Sequence, residues 1–285
     1  MIPSKLDIEK AKEYYRLFKG GEPNIIAPYL GGLGNVVVRL DDIVVRLKKE
    51  NHLCFYDQNN ERIALYETSL ASLSPEIIFF DITNFAIVYR HFDGHPYLTK
   101  DTSERELIKA GLFIKMLHSL PTNGLKPFDA KKRFDVYRYF ANVPSPFDQE
   151  KKLRERIETN ISSEKMVFSH NDIVRGNLLE ENERGKLSLI DFEYAGTNNE
   201  MFDIASLLSE NSIEKLEQKK AFLLGYFENV TDLHLKKCND YILYEDLLWY
   251  YWAIAKYRDS RDDSFLSIAK EKKEAIRLHS VFFED

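Results

Sequence analysis

The sequence predicts an α+β protein in which a small, strand-rich N-terminal lobe precedes a larger, mostly helical C-terminal lobe. Residues 36–40 and 43–47 are two β-branched runs joined by two aspartates, a pattern typical of a hairpin, and residues 77–92 hold a second apolar hairpin. Beyond residue 100, apolar residues recur mostly at helical spacing. Strands followed by helices favour an α+β architecture.

The boundary between the lobes is predicted after the second hairpin. Gly94 and Pro96 interrupt the chain there, and both residue types break regular structure. We therefore assign residues 1–93 to the N-terminal lobe and residues 94–285 to the C-terminal lobe. A chain of 285 residues is long enough to give each lobe a core.

The helices are predicted from apolar spacing and from their start and stop signals. Residues 5–19 carry a helical pattern that ends at two glycines, and a second pattern over 59–73 ends before a proline. Ser103 and Glu106 form a capping box that begins a long helix. Further helices are predicted near residues 129–140, 148–161, 201–209, 214–228, 240–258 and 264–281.

One polar segment stands out between short apolar runs. His170 and Asp172 are followed five residues later by Asn177, and Asp191 comes directly after the apolar run 187–190. An acid in a loop, an amide and a second acid are the groups that phosphoryl transfer from Mg-ATP requires. Asp172 would orient the attacking hydroxyl, and Asn177 and Asp191 would offer oxygen ligands to Mg²⁺.

This segment also carries a resemblance. The pattern His170-x-Asp172-x-x-x-x-Asn177, with Asp-Phe-Glu-Tyr at 191–194, resembles the kinase-like phosphotransferases that include aminoglycoside phosphotransferases and choline/ethanolamine kinases. The resemblance implies a bilobal protein-kinase-like fold, with ATP and Mg²⁺ as cofactors and with His170 beside Asp172 in the catalytic segment. Further matches, which are most similar to the choline kinase branch, are Asn198, residues 202–205 and Glu210.

A glycine-rich stretch precedes the first predicted strand. Gly31, Gly32, Gly34 and Asn35 lie there without a following Lys-Ser or Lys-Thr, which excludes the P-loop of NTPases. Alone, two glycines before a strand more often form a simple turn. The resemblance implies that their backbone approaches the ATP phosphates and that Arg46, on the next strand, supplies a cation to the same phosphates.

The same resemblance implies an acidic partner for the strand cation and a hinge between the lobes. Glu61 and Glu67 are both candidates for the acid, because both lie on the helix predicted over 59–73. The hinge offers backbone groups to adenine, and by position its residues are Tyr89, Arg90, His91 and Phe92.

Two tryptophans are the main indication of the acceptor substrate. At about 100° per residue, Trp249 and Trp252 fall on one side of their predicted helix, while a different side can serve the core. Aromatic faces bind a quaternary ammonium group, which has no N–H to donate. The resemblance implies a choline site with this Trp-x-x-Trp pair, and the carboxylates assigned to it are Glu193 and Glu210.

The leading hypothesis is therefore an ATP- and Mg²⁺-dependent choline kinase. Residues 265–269 contain no tyrosine and Lys215 occupies another position where the family carries one, so ethanolamine remains an alternative. An aminoglycoside-type kinase is a third possibility. A catalytically silent kinase-like binding protein is disfavoured, because Asp172 and Asp191 are both present.

Composition excludes several other classes. The net charge of −6 and the absence of a basic run argue against a nucleic-acid partner. Cys54 and Cys238 are too few for a disulfide framework and are expected to be reduced. The sequence shows no signal peptide or membrane span, so we expect a cytoplasmic protein.

Overall fold

A computed structural model describes residues 3–29, 34–48 and 55–283 of the chain. Its N-terminal part is a five-stranded antiparallel sheet in which β5 lies between β3 and β4, and β1 forms the far edge. The strands are β1 (Ile26–Tyr29), β2 (Asn35–Leu40), β3 (Ile43–Lys48), β4 (Ile77–Asp81) and β5 (Ala86–Arg90). Both predicted hairpins are present.

Two helices cover the two faces of this sheet. The first, α1 (Lys5–Lys19), begins at a capping box between Ser4 and Asp7 and packs a small core against β2 and β3. The second, α2 (Gln58–Leu70), begins where the Asp57 side chain accepts two backbone N–H groups. Because side chains alternate along a strand, the opposite face of β5 joins α2 in a separate, larger core.

The start of α2 is attached to the C-terminal part of the chain through Asn60. Its side-chain amide donates to the carbonyls of Lys126 and Ala195, each at 3.0 Å, and its oxygen accepts the Lys126 N–H at 2.9 Å. Asn60 is buried, and its three polar contacts fix the first turn of α2 against that part.

The C-terminal part consists mainly of helices packed around a long, buried central helix. That helix, α8, contacts α4, α5, α6, α7 and α9. The helices are α3 (Glu104–His118), α4 (Ala130–Ala141), α5 (Glu150–Ser163), α6 (Glu200–Glu210), α7 (Leu216–Phe227), α8 (Asp232–Ser260) and α9 (Asp263–His279), followed by a 3₁₀ turn at Ser280–Phe282.

Short strands position the loops of the predicted catalytic segment. Strand β7 (Met166–Ser169) pairs with β10 (Gly196–Asn199), while β8 (Leu178–Glu181) lies between β6 (Gly94–Pro96) and β9 (Leu187–Leu189). The loop from β7 to β8 therefore faces the loop that follows β9. Strands β6 and β10 are not predicted from the sequence, because they are only three and four residues long and lack apolar alternation.

The α+β prediction is confirmed, with one large error in a helix boundary. Helix α8 begins at Asp232, eight residues before the predicted start at 240, because Thr231 caps it by accepting the His234 N–H. Within the described ranges, no helix is both long and apolar enough to cross a membrane.

Candidate active site

A buried aspartate shapes the loop between β7 and β8. Asp203, in the first turn of α6, accepts the backbone N–H groups of His170 at 2.8 Å and Asn171 at 2.6 Å, and lies 3.0 Å from His118 Nε2. Asn171 has a positive φ of 65° and bonds through its side chain to the Tyr194 carbonyl. The loop conformation is thus fixed by its surroundings.

His170 holds this loop rather than facing an open site. It is fully buried; its Nδ1 accepts the Asp172 N–H at 3.2 Å, so Nε2 carries the hydrogen and donates to the Ile190 carbonyl at 3.0 Å. Burial lowers the pKa of the imidazole. Because both ring nitrogens are engaged with the backbone, the structure does not support the prediction of a catalytic His170, and we treat it as a positioning residue.

Asp172 and Asn177 lie side by side. The Asn177 amide nitrogen donates to the Asp172 carbonyl at 2.9 Å and lies 3.5 Å from its carboxylate, so the amide oxygen is the atom that can bind a cation. Burial, followed by the charges of Asp191, Glu193 and Glu210, raises the pKa of Asp172 well above its usual range. Such a concentration of acids is suited to cationic ligands.

Arg46 of β3 connects these acids to the N-terminal part. Its buried guanidinium forms an ion pair with Glu61 of α2 and lies 2.8 Å from Asp191 and 3.5 Å from Glu193. When the Asn35 side-chain amide is oriented with its oxygen toward Arg46, this oxygen accepts a hydrogen bond from Arg46 Nη2 at 2.8 Å. The choice left open between Glu61 and Glu67 is resolved in favour of Glu61.

Glu193 is at a different place from the one predicted. Its carboxylate lies 2.7 Å from Lys48 Nζ, and a Cβ added at Gly34 would lie 3.7 Å from it. Burial works against ionisation, but Arg46 and Lys48 hold the pKa of Glu193 below its usual range. These contacts assign Glu193 to the nucleotide end, whereas the sequence analysis assigned it to the acceptor, because sequence adjacency to Asp191 does not show which way the side chain points.

Lys48 is a candidate phosphate ligand that the sequence analysis missed. It lies two residues after Arg46 on the same strand, so both side chains leave the same face of the sheet. Its ammonium group also lies 3.8 Å from the centre of the Tyr56 ring. The two-residue spacing was a signal that could have identified it.

Asn177 and Asp191 have the chemistry of a magnesium site. The Ile190 N–H donates to the Asn177 carbonyl at 3.0 Å, which places the two candidate ligands next to each other. Burial raises the pKa of Asp191 to about 6 although Arg46 opposes the change. Among the described residues, no group of three His, Cys, Asp or Glu could hold a metal by itself. Two oxygen ligands completed by phosphate and water are nevertheless what Mg²⁺ commonly uses.

The predicted hinge and glycine loop are only partly described. The N–H groups of Arg90 and His91 donate to the carbonyls of Glu76 and Asp42, both at 2.9 Å. These two N–H groups are therefore engaged within the protein, Tyr89 is buried and Phe92 follows the end of β5. That other backbone groups of this segment contact adenine stays a prediction. Gly31 and Gly32 lie outside the described residues, as does Cys54; Cys238 is buried.

Four aromatic rings form a continuous wall at the acceptor end. The rings of Trp249 and Trp252 meet edge to face with centroids 5.8 Å apart, as expected if they share one helix face. Trp249 also contacts Tyr194 at 5.6 Å, and Trp252 contacts Phe265 at 5.4 Å. Tyr194 and Phe265 were not assigned from the sequence, because nothing local marks a ring contributed from another element.

A charged cluster formed by residues of α6, α8, α9 and the α6–α7 loop includes the predicted acceptor carboxylate. Lys272 forms an ion pair with Glu210 and lies 3.0 Å from Asp246, which also lies 2.6 Å from His279 Nδ1. The His279 Nε2 lies 3.2 Å from Glu214. We call these five residues the Lys272 cluster. No local sequence pattern indicates that a lysine from α9 contacts Glu210.

Glu245 lies one helical turn before Trp249 and is fully buried. In the part of the chain that the structure describes, neither of its carboxyl oxygens has a hydrogen-bond partner. Burial, followed by the nearby charge of Glu210, raises the pKa of Glu245 well above its usual range. Burial therefore favours the protonated, uncharged form of Glu245.

Comparison with known proteins agrees with this arrangement. Residues 30–276 match the sequence model of the choline/ethanolamine kinase family. The chain is 31% identical to ethanolamine kinase of Saccharomyces cerevisiae over 157 residues, which span 43% of this chain and 29% of that enzyme. It is 24% identical to probable ethanolamine kinase A of Dictyostelium discoideum over 279 residues, covering 82% of this chain and 78% of that protein.

The fold is also shared with solved structures. The crystal structure of choline kinase LicA from Streptococcus pneumoniae superposes with a TM-score of 0.74 at 18% identity, covering 96% of this chain and 99% of that one. The kinase-like fold predicted from the catalytic segment is confirmed. Because the family model covers most of the sequence, the chain belongs to the choline/ethanolamine kinase family.

Proposed function

We propose that this chain transfers the γ-phosphoryl group of Mg-ATP to the hydroxyl of choline, giving phosphocholine and ADP. The observation that carries the proposal is the position of Arg46, whose guanidinium contacts Glu61 in the N-terminal part and Asp191 beside the catalytic loop. That arrangement supports the assignment of Arg46 to the phosphates and of Asp191 to the metal within one site, because the two side chains are in contact.

The residues divide the reaction among them. Arg46 and Lys48 bind the phosphates, and Asn177 and Asp191 hold Mg²⁺, which neutralises charge on the phosphate oxygens when it is bound. Asp172 orients the acceptor hydroxyl and receives its proton as the new O–P bond forms and the bond to ADP breaks. His170 keeps Asp172 in place through the Asp172 N–H.

The aromatic wall supports choline as the acceptor. A trimethylammonium group is attracted to the faces of tryptophan and tyrosine rings, and Trp252 is only half-buried, so part of its ring is accessible. After burial and the charges of Asp191 and Glu193, the charge of Glu210 also raises the pKa of Asp172, which supports the assignment of this carboxylate to the same site.

Ethanolamine is a second candidate, and a specific contact favours it. Glu210 already forms an ion pair with Lys272, so it offers a quaternary ammonium less net negative charge than an unpaired acid would. A primary ammonium can still donate an N–H to the second carboxylate oxygen.

The proposal is tested by measuring ADP release with choline, ethanolamine, kanamycin and methylthioribose. We expect turnover with choline or ethanolamine, formation of the corresponding phosphate ester by mass spectrometry, and complete loss of both in Asp191→Ala. Turnover with kanamycin alone, or ADP release that Asp191→Ala does not abolish, would contradict the proposal.

A further inference from the structure

We infer that Lys272 determines acceptor specificity, because it neutralises Glu210 and so disfavours a quaternary ammonium relative to a primary one. This inference rests on the proposed function of the site. It concerns which amino alcohol the site prefers and assigns a role to a residue outside the catalytic segment.

The first step is that Glu210 is the predicted acceptor carboxylate, and an acceptor can reach it. Asp246 is fully buried and already contacts both Lys272 and His279. Glu245 is also fully buried, and Glu214 contacts His279 rather than Lys272. The Glu210 side chain is 21% exposed at the end of α6, and so remains open to a ligand on one side.

The second step is that Lys272 is fixed on Glu210. Its ammonium group is largely enclosed and lies between Glu210 and the buried Asp246. Release from Glu210 would leave Lys272 with a single carboxylate partner in a poorly solvated position, which is costly for a buried charge. Lys272 therefore stays in contact with Glu210 when the acceptor enters.

The third step follows from the different chemistry of the two ammonium groups. A trimethylammonium group has no N–H, so it is held by charge and by aromatic faces, and the lysine cancels much of the charge. A primary ammonium has three donors and can form a directional, charge-assisted hydrogen bond with the free Glu210 oxygen. Lys272 thus weakens choline binding more than ethanolamine binding.

The Trp249 ring also packs against other aromatic side chains of the protein. Trp249 is 8% exposed and packs edge to face against both Trp252 and Tyr194. Little of its ring remains for a bulky cation, so the wall cannot fully compensate for a neutralised Glu210.

The test compares kcat/KM for choline and ethanolamine in wild type and Lys272→Met. We expect the choline-to-ethanolamine ratio to rise about 10-fold in the variant, since one lost charge-assisted interaction has an effect of that order. The matched control is Lys237→Met, which removes another lysine–glutamate pair, with Glu164, between α8 and the end of α5. Its ratio should equal that of wild type.

Two further variants separate specificity from folding. Lys272→Arg keeps the charge and should keep the wild-type ratio. In a wild-type background, Glu210→Gln should lower kcat/KM for ethanolamine more than for choline, which can be measured even if Lys272→Met fails to fold.

The outcomes are distinct. An unchanged ratio in Lys272→Met, or a larger effect of Glu210→Gln on choline, overturns the role of Lys272 while leaving the kinase activity intact. A wild-type protein that phosphorylates neither amine removes the proposed function, and this inference with it.

Discussion

The two ends of the site each contain a buried cation surrounded by acids, but the cations differ. At the nucleotide end, Arg46 contacts Glu61, Asp191 and Glu193. At the acceptor end, Lys272 contacts Glu210 and Asp246. The planar guanidinium can keep several partners at once, whereas the ammonium group is a single point of charge.

The difference shows how each end meets its ligand. Arg46 has donors for the acids on both sides and can add phosphate oxygens to its partners. Lys272 instead occupies part of a carboxylate that a cationic substrate would also use. If the proposed function is correct, the nucleotide end would provide charge to its ligand, while the acceptor end would restrict which ligand is accepted.

Apart from the complete loss expected in Asp191→Ala, the largest expected effect lies between the two ends, at Asp172. Asp172→Asn should lower kcat by about 10²-fold or more with little change in ATP affinity, because loss of a general base has an effect of that order. Single-turnover kinetics and equilibrium ATP binding measure the two quantities. Asp135→Asn, which removes a surface acid of α4, is the control, and unchanged turnover in Asp172→Asn would show that the proton goes elsewhere.

The nucleotide end is tested next. Arg46→Ala should raise KM for ATP about 10- to 100-fold, the range expected for lost charged hydrogen bonds, with a much smaller effect on KM for the amine. Arg46→Lys should recover part of the lost ATP affinity, because lysine keeps the charge but not the planar guanidinium geometry. Equal changes in both KM values, together with a lower Tm, would indicate a folding defect instead.

The acceptor end is tested through the pH dependence of the free energy of unfolding. Burial opposes the charged form of His279, but hydrogen bonds to Asp246 and Glu214 prevail and raise its pKa from 6.5 to about 9. The stabilisation of the folded protein by protonated His279 is therefore complete below pH 6.5 and is lost as the pH rises through about 9. Between pH 7 and pH 9 the loss should be about 2 kcal/mol.

Urea unfolding of wild type and His279→Gln measures this loss. The difference in unfolding free energy between the two proteins should shrink across that pH interval. A difference independent of pH would mean that His279 is neutral in the folded protein.

The smallest expected effect concerns the aromatic wall. Trp252→Ala should raise KM for choline about 3- to 30-fold, since a cation–π contact contributes about 0.5 to 2 kcal/mol. The effect on ethanolamine should be smaller. Steady-state kinetics with both amines provide the measurement, and unaffected choline kinetics would assign Trp252 to the core.

The nucleotide end could be predicted largely because its signals are local. His170, Asp172 and Asn177 lie within one loop. The role of Arg46, in contrast, is implied only by the family resemblance, because an arginine on a strand is equally consistent with a solvated or salt-bridged residue. The error for Glu193 concerns side-chain orientation. The sequence shows where Glu193 lies along the chain but not that its side chain points toward Lys48.

The acceptor end was less predictable because separate helices build it. Trp249 and Trp252 share a helix, so their common face follows from the helical repeat. Lys272 is 62 residues from Glu210, and their contact depends on how α9 packs against α8, which no local pattern specifies. The same reason applies to Phe265, and Asp203 would have required recognising an isolated acid within an apolar helix.

The attachment of α2 through Asn60 has a consequence for the position of Glu61. Asn60 directly precedes Glu61, so the hydrogen bonds that hold Asn60 to Lys126 and Ala195 also hold the acid that pairs with Arg46. Any outward movement of this helix that separated Glu61 from Arg46 would therefore also have to break the three hydrogen bonds of Asn60. The position of the acid is thus coupled to the contact between α2 and the segments around Lys126 and Ala195.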